Sequence, residues 1–113
     1  MRIAVKVSSR RFVMLDADEV YYLESDGHDT RVRTAAKTGL RSVRTLGELE
    51  RALKPSGFLR IQKSLVVNLN RVREVRLREG DDNDWEVKLD PPVNAVLPVG
   101  RSYVAALRRA LGF

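Results

Sequence analysis

Asn68 and Arg101 carry the side-chain chemistry best suited to reading a nucleic acid. Asn68 directly follows the strand formers Leu65-Val66-Val67 in a basic neighbourhood. Its amide can pair bidentately with an adenine edge, as an arginine can with guanine. The same residue also suits an Asx turn, in which Asn68 and Asn70 hydrogen-bond their own backbone. Residue type alone leaves both open. Arg101 lies between Gly100 and Ser102, where a strand pattern gives way to a helical one. A cation is mildly unfavourable at a helix N-terminus, a misfit that an external anion would relieve.

Other groupings point to less. The single histidine, His28, sits in a polar turn between Asp26 and Asp29; two adjacent carboxylates and one imidazole make a weak metal signal, and a solvated turn explains them better. Asp81-Asp82-Asn83-Asp84 resembles a calcium loop in composition but lacks the mid-loop glycine and closing glutamate. A hairpin turn is expected there, facing away from any bound polyanion because its carboxylates would be repelled. No Gly-rich phosphate loop, Gly-x-Ser-x-Gly elbow or His-Glu-x-x-His occurs. With no cysteine and one turn histidine, no nucleophile–base pair can be assembled. The chain reads as a non-enzyme with no cofactor.

The elements that would position these residues are mostly strands. Ile3–Val7, Phe12–Leu15, Val20–Glu24, Thr30–Thr34 and Leu40–Arg44 are short β-favouring runs separated by turn clusters. One helix interrupts them. Thr45 and Glu48 form a capping box, Leu46, Leu49 and Leu53 share one face, and Pro55-Ser56-Gly57 stops it. Its leucines should pack on a sheet; no second helix follows to make it a recognition helix. Strands resume at Leu59–Ile61 and Leu65–Val67. From Val72 to Val75 the apolar spacing of three breaks alternation and predicts a bulge. Trp85–Leu89 and Ala95–Val99 follow, and a last helix carries Tyr103, Leu107 and Leu111 on one stripe before Gly112.

Composition narrows the partner. The 113 residues are 43% hydrophobic and carry 21 Lys plus Arg against 15 Asp plus Glu, a net charge of +6. That length is about one domain, and that charge suits phosphate, whose counterions are released on binding. No apolar run could cross a bilayer, and no signal peptide opens the chain. No membrane partner and a cytoplasmic location are therefore expected.

Taken together, Phe58-Leu59-Arg60-Ile61-Gln62-Lys63-Ser64-Leu65-Val66-Val67-Asn68 resembles the Phe-x-Arg-x-His-x-Ser-hydrophobic-x-Val-Asn stretch of the LytTR DNA-binding family. Val20–Ser25, Thr45-Leu46 and Leu97-Pro98-Val99-Gly100-Arg101 support it. The resemblance implies a mainly β fold, an elongated assembly of small antiparallel sheets, three in the family, with one or two short helices. It implies sequence-specific binding of double-stranded DNA in bacterial transcription regulation, with loops entering successive major grooves and bending the duplex. Carried over by position, Asn68 and Arg101 match base contacts. A third contact falls at Thr30, with His28 two residues earlier. Gln62 replaces the motif's histidine. By charge and loop position, Lys63, Arg71 and Arg31 are candidate phosphate contacts. Residues 1–113 are expected to form one such domain, with no receiver or sensor domain in the chain, acting on paired repeat sites as a homodimer or with a separate sensor partner. The alternative is a basic protein-interaction module for an acidic partner.

Overall fold

Among the described residues, hydrogen bonding joins ten strands into two antiparallel sheets. The computed structural model describes residues 1–36 and 39–113. The strands are β1 (Arg2–Ser8), β2 (Arg11–Asp16), β3 (Val20–Asp26), β4 (Asp29–Thr34), β5 (Leu40–Ser42), β6 (Phe58–Gln62), β7 (Leu65–Asn68), β8 (Val72–Leu77), β9 (Trp85–Leu89) and β10 (Val96–Pro98). Two helices, α1 (Leu46–Leu53) and α2 (Val104–Leu111), complete the set. The larger sheet runs β2-β1-β5-β4-β3-β7-β6, the smaller β10-β9-β8. The molecule is elongated, 47 × 26 × 24 Å.

The expected count of three sheets becomes two because of one residue pair. Among the described residues β1 meets β5 only at Lys6–Arg41; without that pair, the β1–β2 hairpin would be a sheet of its own.

Strand alternation divides the core into two layers. In β7, Val66 faces the side covered by α1, while Leu65 and Val67 face the side covered by the small sheet and α2. All four β7 residues are buried, as expected of a strand covered on both faces. The α1 layer contains Leu46, Leu49 and Leu53 with Ile3, Val5, Val20, Leu23 and Phe58. The opposite layer gathers Ile61, Val87, Leu89, Leu97, Val99 and Leu107. The α1 capping box forms as its residues require: the Thr45 hydroxyl accepts the Glu48 N–H at 3.2 Å, and the Glu48 carboxylate accepts the Thr45 N–H at 3.2 Å. The predicted irregularity after Val72 is present, a register shift between Val72 and Glu74 against β9. Gly112, at φ 77°, ends α2 in the left-handed conformation.

Candidate nucleic-acid interface

The register of β3, β7 and β6 decides which candidate residues share an end of the sheet. Glu24 pairs with Leu65 and Tyr22 with Val67, so the β3–β4 hairpin tip lies beside the β6–β7 turn. The Ser25 N–H donates to the Ser64 carbonyl at 3.0 Å and closes that junction. On the far side, the Gly100 N–H donates to the Ile61 carbonyl at 2.8 Å, bringing the start of the C-terminal helical segment to the end of β6. Thr30 pairs with Ser42, placing Arg44 next to the hairpin. From β5 to β6 there are five adjacent strands. At about 4.8 Å per strand, these loops occupy a row of roughly 19 Å.

His28 is exposed at the hairpin tip, in a two-residue loop whose first position is Gly27 at φ 63°, the place such turns reserve for glycine. Asp26 and Asp29 beside it do not gather around a cation site. Asp26 accepts from Arg31 Nε at 3.3 Å and Arg41 Nη2 at 2.8 Å, and Asp29 lies 3.7 Å from Arg41. The Arg31 hydrogen bond, then its charge, holds the Asp26 carboxyl below its ordinary value. Arg31 also approaches Glu24 at 3.7 Å; it is exposed on β4.

Lys63 is exposed in the β6–β7 turn, and its ammonium has no partner among the described residues. The turn itself is braced by Arg60. That side chain donates from Nη1 to the Lys63 carbonyl at 2.6 Å and from Nη2 to Glu50 on α1 at 2.8 Å. Gln62, in place of the motif's histidine, accepts from the Ser64 hydroxyl at 3.4 Å.

Arg101 is exposed, its side chain 72% accessible. Its Nε donates to Asp84 Oδ1 at 3.0 Å. That hydrogen bond, then the Asp84 charge, raises its already high pKa. The anion beside Arg101 at its helical start is therefore the chain's own Asp84, so the acidic turn, expected as a hairpin turn away from any bound polyanion, supplies this arginine with a partner. Strand pairing explains the meeting. Val99 N–H donates to the Trp85 carbonyl at 2.9 Å, so the residue before Trp85 and the residues after Val99 emerge side by side.

The remaining three candidates are engaged within the fold, Asn68 in the Asx turn that its residue type also allowed. Asn68 is only 1% exposed. Its Nδ2 donates to the Val20 carbonyl at 2.9 Å and its Oδ1 accepts the Asn70 N–H at 3.0 Å. In this conformation the amide is engaged in the Asx turn and in tying β7 to the start of β3, and its burial keeps it from presenting an open edge to a base. Thr30 is fully buried and donates its hydroxyl to the Arg44 carbonyl at 2.8 Å, so it shapes the loop rather than presenting itself. Arg71 lies at the opposite end of β7 from the Lys63 turn. It donates Nε and Nη2 to the Asp18 carbonyl at 3.1 and 2.6 Å and covers the Tyr21 ring at 4.8 Å. Three residues of strand, about 10 Å, separate Asn68 from Leu65. Asn68 and Arg71 therefore do not join the row formed by His28, Arg31, Lys63 and Arg101. Sequence reasoning missed Asp84, Arg60 and Glu50, whose roles depend on contacts between separate elements. For Arg60, its place in the central stretch was the one available signal.

Comparison with known proteins identifies the family and the fold. The model of the LytTr DNA-binding domain matches residues 10–112. The CO-responsive transcriptional regulator RcoM of Rhodospirillum rubrum is 39% identical over 97 residues, covering 86% of this chain and 39% of that protein. The heme-containing CO-sensing transcriptional regulator RcoM 1 of Paraburkholderia xenovorans is 32% identical over 110 residues, covering 90% and 37%. The chain thus spans about two-fifths of the length of these relatives. In fold, it is similar to the LytTr DNA-binding domain of a DNA response regulator from Bacillus cereus, with a TM-score of 0.82 at 24% identity, covering 99% of this chain and 97% of that one. With the matched region reaching from the second strand to the end of the last helix, the chain belongs to the LytTR family of DNA-binding domains.

Proposed function

We propose that this chain binds duplex DNA sequence-specifically in bacterial transcription regulation, through the row of loops at one end of the large sheet. The observation that carries the reading is the convergence of three loops from distant parts of the sequence, which present His28, Lys63 and Arg101 side by side with unspent donors. Arg101 offers base-edge recognition, and His28 at the hairpin tip supplies the first-loop contact that buried Thr30 does not. Lys63 and Arg31 serve as phosphate contacts. Asn68 and Thr30 hold the backbone behind the row, and Arg71 stays outside it. With strands spanning roughly 19 Å beneath the loops, entry into successive grooves calls for a curved duplex, and bending costs on the order of 1–6 kcal/mol, which flanking phosphate contacts offset. Action on paired repeats, by two copies or with a sensor partner, in the cytoplasm and without catalysis, completes the proposal.

Selection from random duplexes, followed by titration of the selected and a scrambled site over a salt series, tests it. With about 5 phosphate contacts the log–log slope should be roughly −4 to −5. Arg101→Ala should cost about 1–3 kcal/mol on the selected site alone, while Lys63→Ala should weaken both sites and reduce the slope by about 1. No preference for any duplex over scrambled DNA at moderate salt would refute the proposal and favour an acidic protein partner.

A further inference from the structure

The contact between Arg101 and the acidic turn joins the residue proposed to read a base to a group that repels DNA. We propose that Asp84 is a positioning residue for DNA recognition: it fixes the plane of the Arg101 guanidinium and thereby sets the base preference at the pair Arg101 contacts. This rests on the reading of Arg101 as a base contact.

The geometry is that of a braced fork. A guanidinium carries five donors in one plane. Asp84 takes the Nε at 3.0 Å, while Nη1 and Nη2 have no partner among the described residues. Those two terminal nitrogens are the bidentate donors that guanine O6 and N7 accept. The brace is itself held. Asp81 Oδ1 accepts the N–H groups of Asn83 at 2.9 Å and Asp84 at 3.3 Å. The Arg78 N–H donates to the Asp84 carbonyl at 2.7 Å, and the Asp81 N–H returns to the Arg78 carbonyl at 3.0 Å. Trp85, next in sequence, is locked to Leu77 on one side and Val99 on the other. Asp84 is less exposed than its partner, 29% against 72%, so the arginine leans on a fixed support rather than the reverse. An unbraced arginine so exposed would sample many rotamers and serve phosphates and bases alike.

The carboxylates also have a cost, since they lower affinity for any polyanion. A brace that strengthens the right contact and a charge that weakens every other one both raise discrimination. The two effects give opposite signs on the two kinds of DNA, and this makes the proposal testable.

The experiment measures Asp84→Ala and Asp84→Asn on the selected duplex, on duplexes altered at the Arg101-dependent base pair, and on scrambled DNA, with thermal unfolding run alongside. Asp84→Ala should weaken the selected site about five- to tenfold, strengthen scrambled DNA a few fold, and flatten the preference at that base pair. Asp84→Asn, which keeps the Oδ1 acceptor and loses the charge, should retain most of the preference even if the alanine variant disturbs the turn. In an Arg101→Ala background, Asp84→Ala should raise affinity for all duplexes by one common factor. If Asp84→Ala and Asp84→Asn strengthen selected and scrambled DNA equally, Asp84 merely repels DNA and the proposal fails while the base reading of Arg101 stands. If Arg101→Ala itself leaves the selected site unaffected, the base reading fails and the proposal with it.

Discussion

Replacing Asn68 with alanine should destabilise the protein by about 2–4 kcal/mol and leave the salt slope of DNA binding by the folded fraction unchanged. The magnitude follows from what the amide does. Its Nδ2 is a donor to the Val20 carbonyl, and both residues are buried; removing a donor from a buried acceptor costs about 1–3 kcal/mol. The Asn70 N–H also loses its acceptor, but Asn70 is exposed and water can replace it, so about 0.5–1 kcal/mol is lost there. The void left between β7 and β3 adds up to about 1 kcal/mol. With an unfolding entropy near 2.1 cal/mol/K per residue over 113 residues, each kcal/mol shifts Tm by about 4 °C, so Tm should fall by about 8–16 °C. Thermal and denaturant unfolding measure the loss, and affinities for selected and scrambled DNA, corrected for the folded fraction, measure the rest. A stability loss under about 0.5 kcal/mol together with a selective loss on the selected site would refute the positioning role and return Asn68 to the base edge.

Gly100→Ala should cost about 1–3 kcal/mol of stability and weaken the selected site. A Cβ there would stand 3.0 Å from Tyr103 Cδ2 and 3.6 Å from Gln62 Cγ, next to Arg101; unchanged melting and affinity would refute this. Arg71→Ala should lower stability by about 0.5–1.5 kcal/mol through its bonds to Asp18 and its cover over Tyr21. A salt slope reduced by about 1 in that variant would place Arg71 on the DNA after all. The Glu48 carboxyl is held below its ordinary value of 4.5, first by the Thr45 N–H and then by the Thr45 hydroxyl. Its folded value being depressed, its contribution is fully present above the unfolded value and is lost as pH falls through the folded one. Denaturant midpoints across that acid range should fall less steeply for Glu48→Gln than for the parent, and identical slopes would contradict the linkage.

Local signals predicted the local structure well. The Thr45–Glu48 box, the leucine face of α1 and the bulge after Val72 need only neighbouring residues, and all three occur. The candidate interface was legible in part, as residue types and a resembling motif. What the sequence did not display was register. Asn68 and Lys63 are five positions apart in one hairpin, yet the turn between them exposes one and buries the other at opposite ends of β7. Arg101 and Asp84 meet because β9 pairs with β10, a pairing that neither residue's neighbours announce. The reading of the acidic turn weighed phosphate repulsion and did not include its pairing with Arg101.

The single pair joining Lys6 to Arg41 has a mechanical consequence. The β1–β2 hairpin has six residue pairs of its own but shares only this one with the neighbouring strand among the described residues. A ladder of several pairs fixes both alignment and twist, whereas one pair acts as a pivot. The hairpin is kept in place mainly by Ile3, Val5 and Leu15 pressed into the α1 layer, a contact that resists separation more than rotation. Amide hydrogens of β1 and β2 should therefore exchange as one unit, and faster than those of the β3–β7–β6 ladder behind the loop row. Slow exchange is thus expected under the loops and faster exchange at the edge farthest from β6.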